Sequence, residues 1–246
     1  MSRLVWDRLR DRRYETGVDH GILFPLQDGA YSDGVPWNGL TAVTENPSGA
    51  EPTAFWADNV KYLNLLSAEE FGCTIEAYSY PAAFRPCLGK ATIASGVTVS
   101  QQPRKGFGFS YRTLVGNEPE GNDYSYKIHI IYGCLASPSS KNYTTINESP
   151  EPISLSWEVS TTPVKIVNGK TTSHLLIDGP TYKKRGLMNV MHAVEDVLYG
   201  TDETNSHIPT ISEIQEIYVY ERYIRDFDGE MILDNNGNPI ASSVYN

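Results

Sequence analysis

A chain of 246 residues is long enough to bury a substantial core and has the usual size of one β-rich domain, or of one domain with an appendage. Its formal net charge of −10 argues against a surface that grips nucleic acid, because such affinity needs clustered Lys and Arg. Three cysteines without CxxC spacing indicate neither a disulfide framework nor a zinc site. No apolar segment resembles a signal peptide or a membrane span, so we expect folding in the cytoplasm.

The first element with a distinct signal is a β-hairpin whose turn lies at Asp58-Asn59, within the segment from Gly34 to Pro81. Both turn residues tolerate a positive φ and therefore suit a two-residue type I′ connection. Both faces of the hairpin carry apolar side chains, whereas a hairpin that only covers a core should have one polar face. Counting outward from the turn predicts four cross-strand pairs, which are Ala57 with Val60, Trp56 with Lys61, Phe55 with Tyr62, and Ala54 with Leu63.

Two explanations fit a hairpin that is apolar on both faces. In the first, both faces are buried inside one domain, between a helix and a sheet. In the second, one face packs against a neighbouring subunit, because large exposed apolar patches usually mark interaction sites. The residues of the hairpin alone do not decide between these explanations.

The segment after the hairpin shows a helix-start signal and then a strand signal. Ser67-Ala-Glu-Glu70 has the capping-box pattern, which predicts one short helical turn that ends at Gly72. From Cys73 to Tyr80 apolar and polar residues alternate, as in a strand with one buried face. Thr74 and Glu76 lie on the face that is predicted to be polar.

Three further segments alternate in the same way and are predicted to be half-buried strands. They are Phe107 to Thr113, Tyr126 to Tyr132 and Ile153 to Ser160. One side of each segment is apolar and the other is polar, so one side of the sheet should meet water. The polar sides carry Ser110, Arg112, Lys127, His129, Ser154, Ser156, Glu158 and Ser160.

The strongest helix signal in the chain runs from Leu187 to Tyr199. Its apolar residues recur at the spacing of one helix face, and Gly200 suits the C-terminal cap. We expect this helix to lie across a sheet. Several short strands with one or two helices predict a mainly β, α+β fold, namely a β-sandwich with a flanking α-helix.

Near the C-terminus, Asn235-Asn-Gly237 lies between two apolar stretches, which predicts a β-hairpin added outside the domain or at a sheet edge. The basic cluster Lys183-Lys-Arg185 lies in a joint flanked by Gly and Pro, and we interpret it as a solvated loop. The histidines are scattered and no nucleophile elbow is present. We therefore expect no catalytic residue, no cofactor and no metal ligand.

Seven segments between about Trp6 and about Ile217 carry a family resemblance, and they are Tyr14-Glu-Thr-Gly-Val-Asp19, Gly34-Val-Pro-Trp-Asn-Gly-Leu-Thr41, Pro47-Ser-Gly-Ala-Glu-Pro52, Ala57 to Gly72, Gly96-Val-Thr-Val99, Phe107 to Thr113, and Pro150 to Pro163. These segments resemble the major tail protein (tail tube protein) family of long-tailed bacteriophages and related prophages. Members of that family usually end soon after the equivalent of Ile211 to Ile217. The resemblance therefore implies a tail tube domain at 1–217 and a C-terminal extension at 218–246.

The resemblance implies a structural virion subunit of the phage tail and not an enzyme. Its β-sandwiches would join between subunits into a barrel-lined tube, built from stacked hexameric rings and assembled in the host cytoplasm. The tube is the conduit for DNA ejection, and DNA would pass through without specific binding. The implied partners are further copies of the chain and other tail proteins, such as the tape measure and tail-end proteins, with no membrane.

Beside this resemblance, the hairpin is best explained as a contact surface for neighbouring subunits, and the polar strand faces are expected to line the channel. The subunit-contact candidates are Phe55, Trp56, Asp58, Asn59, Tyr62 and Leu63. The lumen-facing candidates are Thr74, Glu76, Ser110, Arg112, Lys127, His129, Ser154, Ser156, Glu158 and Ser160.

The alternative is a soluble β-sandwich that binds a carbohydrate or protein ligand. Trp37, Trp56 and Tyr143 are then candidate surface aromatics on which a sugar would stack. The two functions differ in an observable way, because a binding module would remain a small monomer whereas a tube subunit would form rings or tubes.

Overall fold

The computed structural model describes residues 4, 6–9, 12–146, 148–149, 151–166 and 170–222. Its strands are β1 Arg13–Gln27, β2 Ala30–Tyr31, β3 Val35–Trp37, β4 Leu40–Glu45, β5 Ser48–Gly49, β6 Pro52–Ala57, β7 Val60–Leu66, β8 Glu69–Glu70, β9 Gly72–Ala77, β10 Ala91–Ala94, β11 Val97–Val99, β12 Phe107–Asn117, β13 Gly121–Ala136, β14 Leu155–Thr161, β15 Val164–Lys165, β16 Thr171–Thr172 and β17 His174–Asp178. The helices are α1 Gly179–Arg185, α2 Met188–Tyr199 and α3 Ile211–Arg222, with short 3-10 helices at Ala82–Phe84 and Pro86–Leu88.

Nine strands form one antiparallel sheet in the order β2-β1-β12-β13-β14-β9-β4, with β3 paired to β1 and β17 paired to β13. Strand β13 links the two halves of this sheet, because it pairs with β17 along Lys127–Ile131 and with β14 along Cys134–Ala136. Between the two partners lies Gly133, with a φ of 62°, and β13 carries one more residue here than the facing strand β12. Such a bulge bends a strand, and here the sheet passes from one layer to the other.

The two layers enclose an aromatic core, so the predicted mainly β fold is confirmed. Ile75 of β9 and Trp157 of β14 are buried in one cluster with Phe109 of β12, as the alternation in these segments predicted. The rings of Trp37, Phe84 and Trp157 lie with their centroids 4.5 to 5.5 Å apart. Tilted and edge-on aromatic pairs of this kind add about 0.5–1.5 kcal/mol beyond the burial of their area.

Helix α2 covers the other face of the layer that contains β1, β12 and β13, as its apolar spacing predicted. Met191 and Leu198 are buried in one cluster with Ile128 and Ile130 of β13. The helix ends at Gly200, which has a φ of 79° and donates its N–H to the carbonyl of Asp196. The chain therefore has a helix layer on top of two sheet layers.

Two other helices flank α2, and one of them corrects a prediction. Lys183-Lys-Arg185 forms the last turn of α1 and not a loop. Helix α3 crosses the boundary implied at Ile217 and continues to Arg222, while the predicted C-terminal hairpin lies outside the described residues. Among the described residues, no helix combines the length and the apolar character needed to cross a membrane.

The predicted hairpin is the end of a longer two-stranded projection. Strands β4 and β9 belong to the sheet, and beyond them β5 pairs with β8 and β6 pairs with β7. We call residues 46–71 the arm. Its turn is confirmed, because Asp58 and Asn59 have φ values of 51° and 61°.

Two details of the arm differ from the predictions. Trp56 pairs with Lys61 as predicted, but Phe55 pairs with Leu63 because Tyr62 lies in a bulge. The extra residue reverses the faces beyond it and brings Leu63 to the face of Phe55. The predicted helical turn at Ser67–Glu70 is wrong, since Glu69–Glu70 is strand β8 and pairs with Ser48–Gly49. Pairing with the opposite strand of the arm bonds the backbone N–H groups that a capping box would otherwise satisfy.

Candidate functional site: an apolar arm and a polar sheet face

The arm leaves its large apolar side chains in water. Trp56 is 69% exposed and Tyr62 is 70% exposed, while Phe55 and Leu63 keep 47% and 39% of their surface accessible. Every residue of β6 and β7 is exposed, and in the described part of the chain these two strands pair only with each other. The first explanation of the hairpin, burial of both faces within one domain, is therefore wrong.

The bulge at Tyr62 concentrates apolar residues on one face of the arm. Phe55 and Leu63 face each other across the hairpin, and Thr53 pairs with Leu65 on the same side. Trp56 lies on the opposite side. Asp58 and Asn59 form the exposed tip between the strands and carry the left-handed backbone that the turn requires. All six subunit-contact candidates are thus exposed on one projection.

A polar face covers the outer side of β14 and β9. Ser156 pairs with Glu76 and Glu158 pairs with Thr74, so these side chains lie together on one surface. Ser160 is exposed at the end of the same strand, and Ser154 is exposed just before β14 begins. Six of the ten lumen-facing candidates therefore share one wet region of the subunit.

The other four lumen-facing candidates are not on a wet face. Ser110 and His129 are buried, with 2% and 6% of their surface exposed. Arg112 lies under helix α2, and Lys127 donates to a carboxylate oxygen of Glu15 across 2.5 Å. The alternation in β12 and β13 does separate two faces, but the prediction that these strands are half-buried is wrong, because other elements cover both faces.

Arg112 joins two strands and a helix through charged contacts. Its guanidinium donates two hydrogen bonds to Asp19 of β1, at 2.8 and 3.1 Å, and lies 3.6 Å from a carboxylate oxygen of Glu195 of α2. It also lies over the ring of Tyr126, 4.6 Å from the centroid. Burial alone would raise the pKa of Asp19, but the hydrogen bonds and charges of Arg112 and His20 outweigh it and lower that pKa.

Replacing Arg112 with alanine should lower the free energy of unfolding by about 2–3 kcal/mol, because two partly buried carboxylates lose their cation. Arg12→Ala is the matched control, since the Arg12 pair with Glu118 is exposed on both sides and should contribute less than about 1 kcal/mol. Urea unfolding of both variants measures the difference. Equal effects of the two substitutions would contradict a structural role for Arg112.

The same pair predicts a pH dependence. The folded-state pKa of Asp19 lies below its ordinary value of 3.8. Its ionised form therefore stabilises the fold at neutral pH, and this contribution is lost as the pH falls below about 4. The stability difference between the wild type and Arg112→Ala should accordingly be constant near neutrality and shrink in acid. A difference that grows as the pH falls would contradict this sign.

His129 is buried in a group of polar side chains at one end of the aromatic core. Its ring stacks on the ring of Tyr111, with centroids 4.4 Å apart, and its Nδ1 lies 3.2 Å from Nε2 of His174. Burial, followed by the charge of His174, lowers the pKa of His129 to about 4. His129, which was expected on a wet strand face, is therefore enclosed by other side chains, and its burial favours the neutral ring.

The aromatic residues proposed for a carbohydrate platform are not on one surface. Trp37 is buried, with 2% of its surface exposed, and its indole N–H donates to the carbonyl of Ser79 at 2.8 Å. Trp56 belongs to the arm, and Tyr143 lies in the loop between β13 and β14. Of the three candidates, Trp56 and Tyr143 therefore expose a ring to a sugar, and they lie on separate elements.

No protein-family model matches the chain, and no curated protein matches it. A functional conclusion therefore depends on the resemblance of the sequence segments and on the geometry of the molecule. Two features of that geometry bear on function. The arm exposes apolar side chains that a partner would bury, and β14 and β9 present a polar face to water.

Proposed function

We propose that this chain is a structural subunit of a phage tail tube, in which hexameric rings stack to form the conduit for DNA ejection. The observation that carries the proposal is the arm, which holds Phe55, Trp56, Tyr62 and Leu63 away from the body of the subunit. Side chains of this size each gain about 1.5–3 kcal/mol when they leave water. A subunit that assembles through the arm would recover that free energy, whereas a monomer would not.

The contact that the arm would make with the next subunit is compatible with a closed ring. A single projection that docks on a different surface of the next subunit makes a heterologous contact, and such contacts close into a ring when the rotation between subunits allows it. The nine-stranded sheet is open and ends in β2 and β4. Pairing of sheets between subunits would cover the strand edges that otherwise favour uncontrolled association.

The polar face of β14 and β9 has the character expected of the lining of a channel through which DNA slides. Its six candidates, of which Thr74 and Glu76 are half-buried and the other four exposed, include two glutamates and no basic residue. Arg112, Lys127 and His129 are held elsewhere in the fold. Carboxylates repel phosphate, so a channel lined in this way would have a modest negative potential and would not retain DNA. The lumen proposed here is therefore Thr74, Glu76, Ser154, Ser156, Glu158 and Ser160.

Negative-stain electron microscopy and light scattering of the purified chain test the proposal. We expect rings or tubes, and a molar mass that rises with concentration in steps of six subunits. Particles that stay at the 27.4 kDa of one chain at all concentrations would contradict assembly and would favour the binding module. Dimers without rings would contradict the ring geometry while keeping an interaction role for the arm.

A further inference from the structure

Three side chains of the kinds that bind transition metals meet at the root of the arm. Glu45 is the last residue of β4, His129 lies in β13 and His174 begins β17. The His129 Nδ1 is 3.2 Å from Nε2 of His174 and 3.4 Å from Oε1 of Glu45, and the third side of this triangle, Glu45 to His174, is 3.8 Å. Two imidazole nitrogens and one carboxylate oxygen thus lie within 4 Å of one another.

The size of this triangle matches the coordination of zinc. A point equidistant from three atoms with these separations lies about 2.0 Å from each of them, and zinc lies roughly 2.0–2.1 Å from histidine nitrogen and 2.0–2.2 Å from carboxylate oxygen. Because the two nitrogens face each other along the 3.2 Å side of the triangle, each ring would have to turn by roughly 40° toward Glu45 to direct its lone pair at an ion about 2.0 Å away. The three atoms already lie within 4 Å of one another on three separate strands.

The neighbours of the cluster hold His129 in the form that binds metals. The Thr113 hydroxyl donates its hydrogen to Glu15 at 2.6 Å, so it must accept the hydrogen bond that joins it to Nε2 of His129 at 3.1 Å. His129 therefore carries its proton on Nε2 and presents a bare Nδ1 to the other two ligands. A ligating histidine is commonly oriented in this way by a hydrogen bond from its second nitrogen.

The other two ligands are also positioned by contacts. Tyr111 donates a hydrogen bond of 3.1 Å to Oε1 of Glu45, and the ring of His174 stacks on that of Phe71 with centroids 4.7 Å apart. Burial lowers the pKa of His174 as well as that of His129 and so favours the neutral form of both rings. Neutral imidazole is the form that coordinates a metal.

We propose that Glu45, His129 and His174 form a binding site for a divalent transition-metal ion, with Zn²⁺ as the best fit. Two nitrogens and one carboxylate suit zinc and its neighbours better than Mg²⁺ or Ca²⁺, which prefer a shell of oxygens. Glu45 is 39% exposed at its side chain, so water can reach a fourth coordination position. The site is independent of the tail-tube proposal, because it needs only one chain.

The position of the site gives the metal a structural role. Glu45 ends β4 where the arm leaves the sheet, and Phe71, which stacks on His174, lies where the other strand of the arm returns. An ion held by β4, β13 and β17 would therefore fasten the root of the arm to the body. We expect bound Zn²⁺ to slow amide hydrogen exchange in β4 and β9 and to leave exchange at the tip of the arm unchanged.

Calorimetric titration of untagged, chelator-treated protein with Zn²⁺, and absorption spectra with Co²⁺, test the site. We expect one ion per chain and a loss of affinity of at least about 100-fold in His174→Ala, since losing only a supporting residue of a metal site costs 10–100-fold. His192→Ala is the matched control, because His192 is exposed on α2 and lies outside the cluster. It should bind as the wild type does.

A second variant keeps the test decisive if His174→Ala does not fold. Glu45→Gln changes a partly exposed side chain, retains its size and removes only the charged ligand. Its circular dichroism in the presence of chelator should match that of the wild type, while its Zn²⁺ affinity falls. The proposal is overturned if the wild type binds no ion, or if the His192→Ala control loses as much affinity as the ligand variants.

Discussion

Trp56→Ser should weaken assembly of the chain without unfolding it. Trp56 is 69% exposed in the single subunit, so its loss removes almost no intrachain packing. In an interface, truncation of a central aromatic residue typically costs 2 kcal/mol or more, which is about a 30-fold rise in the protein concentration needed for assembly. Light scattering against concentration, followed by electron microscopy, gives the measurement.

The control for Trp56→Ser is Ile146→Ser, which removes a side chain that is 84% exposed in a loop outside the arm. We expect this control to assemble as the wild type does, and both variants to unfold within about 2 °C of the wild type. The double variant Phe55→Ser and Leu63→Ser tests the other face of the arm in the same way. If all of these variants assemble normally, the arm is not the contact surface.

Gly133→Ala should destabilise the fold by about 2–5 kcal/mol. A Cβ at this position would lie 2.1 Å from the carbonyl oxygen of Thr162, which is backbone and cannot rotate away. The φ of 62° adds the cost of a left-handed conformation, about 1–2 kcal/mol, to the cost of this overlap, which is about 1–3 kcal/mol or more. Urea unfolding measures the sum.

Gly121→Ala separates the two contributions to that cost. Gly121 has a φ of 60°, close to that of Gly133, but no atom lies within 4 Å of the Cβ position. It should therefore lose only the conformational part, about 1–2 kcal/mol. If the two variants are equally stable, the close approach of the Thr162 backbone to Gly133 is not what requires glycine.

Features that depend on neighbours along the chain were predictable. The turn at Asp58-Asn59, the alternation in β9 and β14, and helix α2 all follow from local backbone preferences and from a single repeating pattern. The surplus of apolar residues on the hairpin was also visible, because it needs only a count of side chains on each face.

Features that depend on packing between distant segments were not predictable. Alternation in β12 and β13 shows two faces, but it does not show that α2 covers Arg112 or that β4 and β17 enclose His129. Nor does a capping-box pattern reveal that Glu69–Glu70 pairs with Ser48–Gly49. In each case a partner far along the chain supplies contacts that outweigh the local preference.

The proposed metal site could not be predicted from the sequence either. Glu45, His129 and His174 come from three strands and have no recognisable spacing, so no sequence motif indicates them. The available signal was weak: His129 occupies a polar position in a strand whose other face is aliphatic and aromatic. Only the fold shows that His174 and Glu45 meet it there.

Because the arm is long, a small rotation at its root causes a large displacement at its tip. At a rise of about 3.3 Å per residue, the strand from Asn46 to Ala57 extends at most about 40 Å from the sheet. A rotation of about 5° at its root would displace the tip by roughly 3 Å at that length, which is enough to misplace a packed aromatic side chain. Contacts at the root, such as those of Glu45 and Phe71, therefore affect the position of Trp56 without touching another subunit.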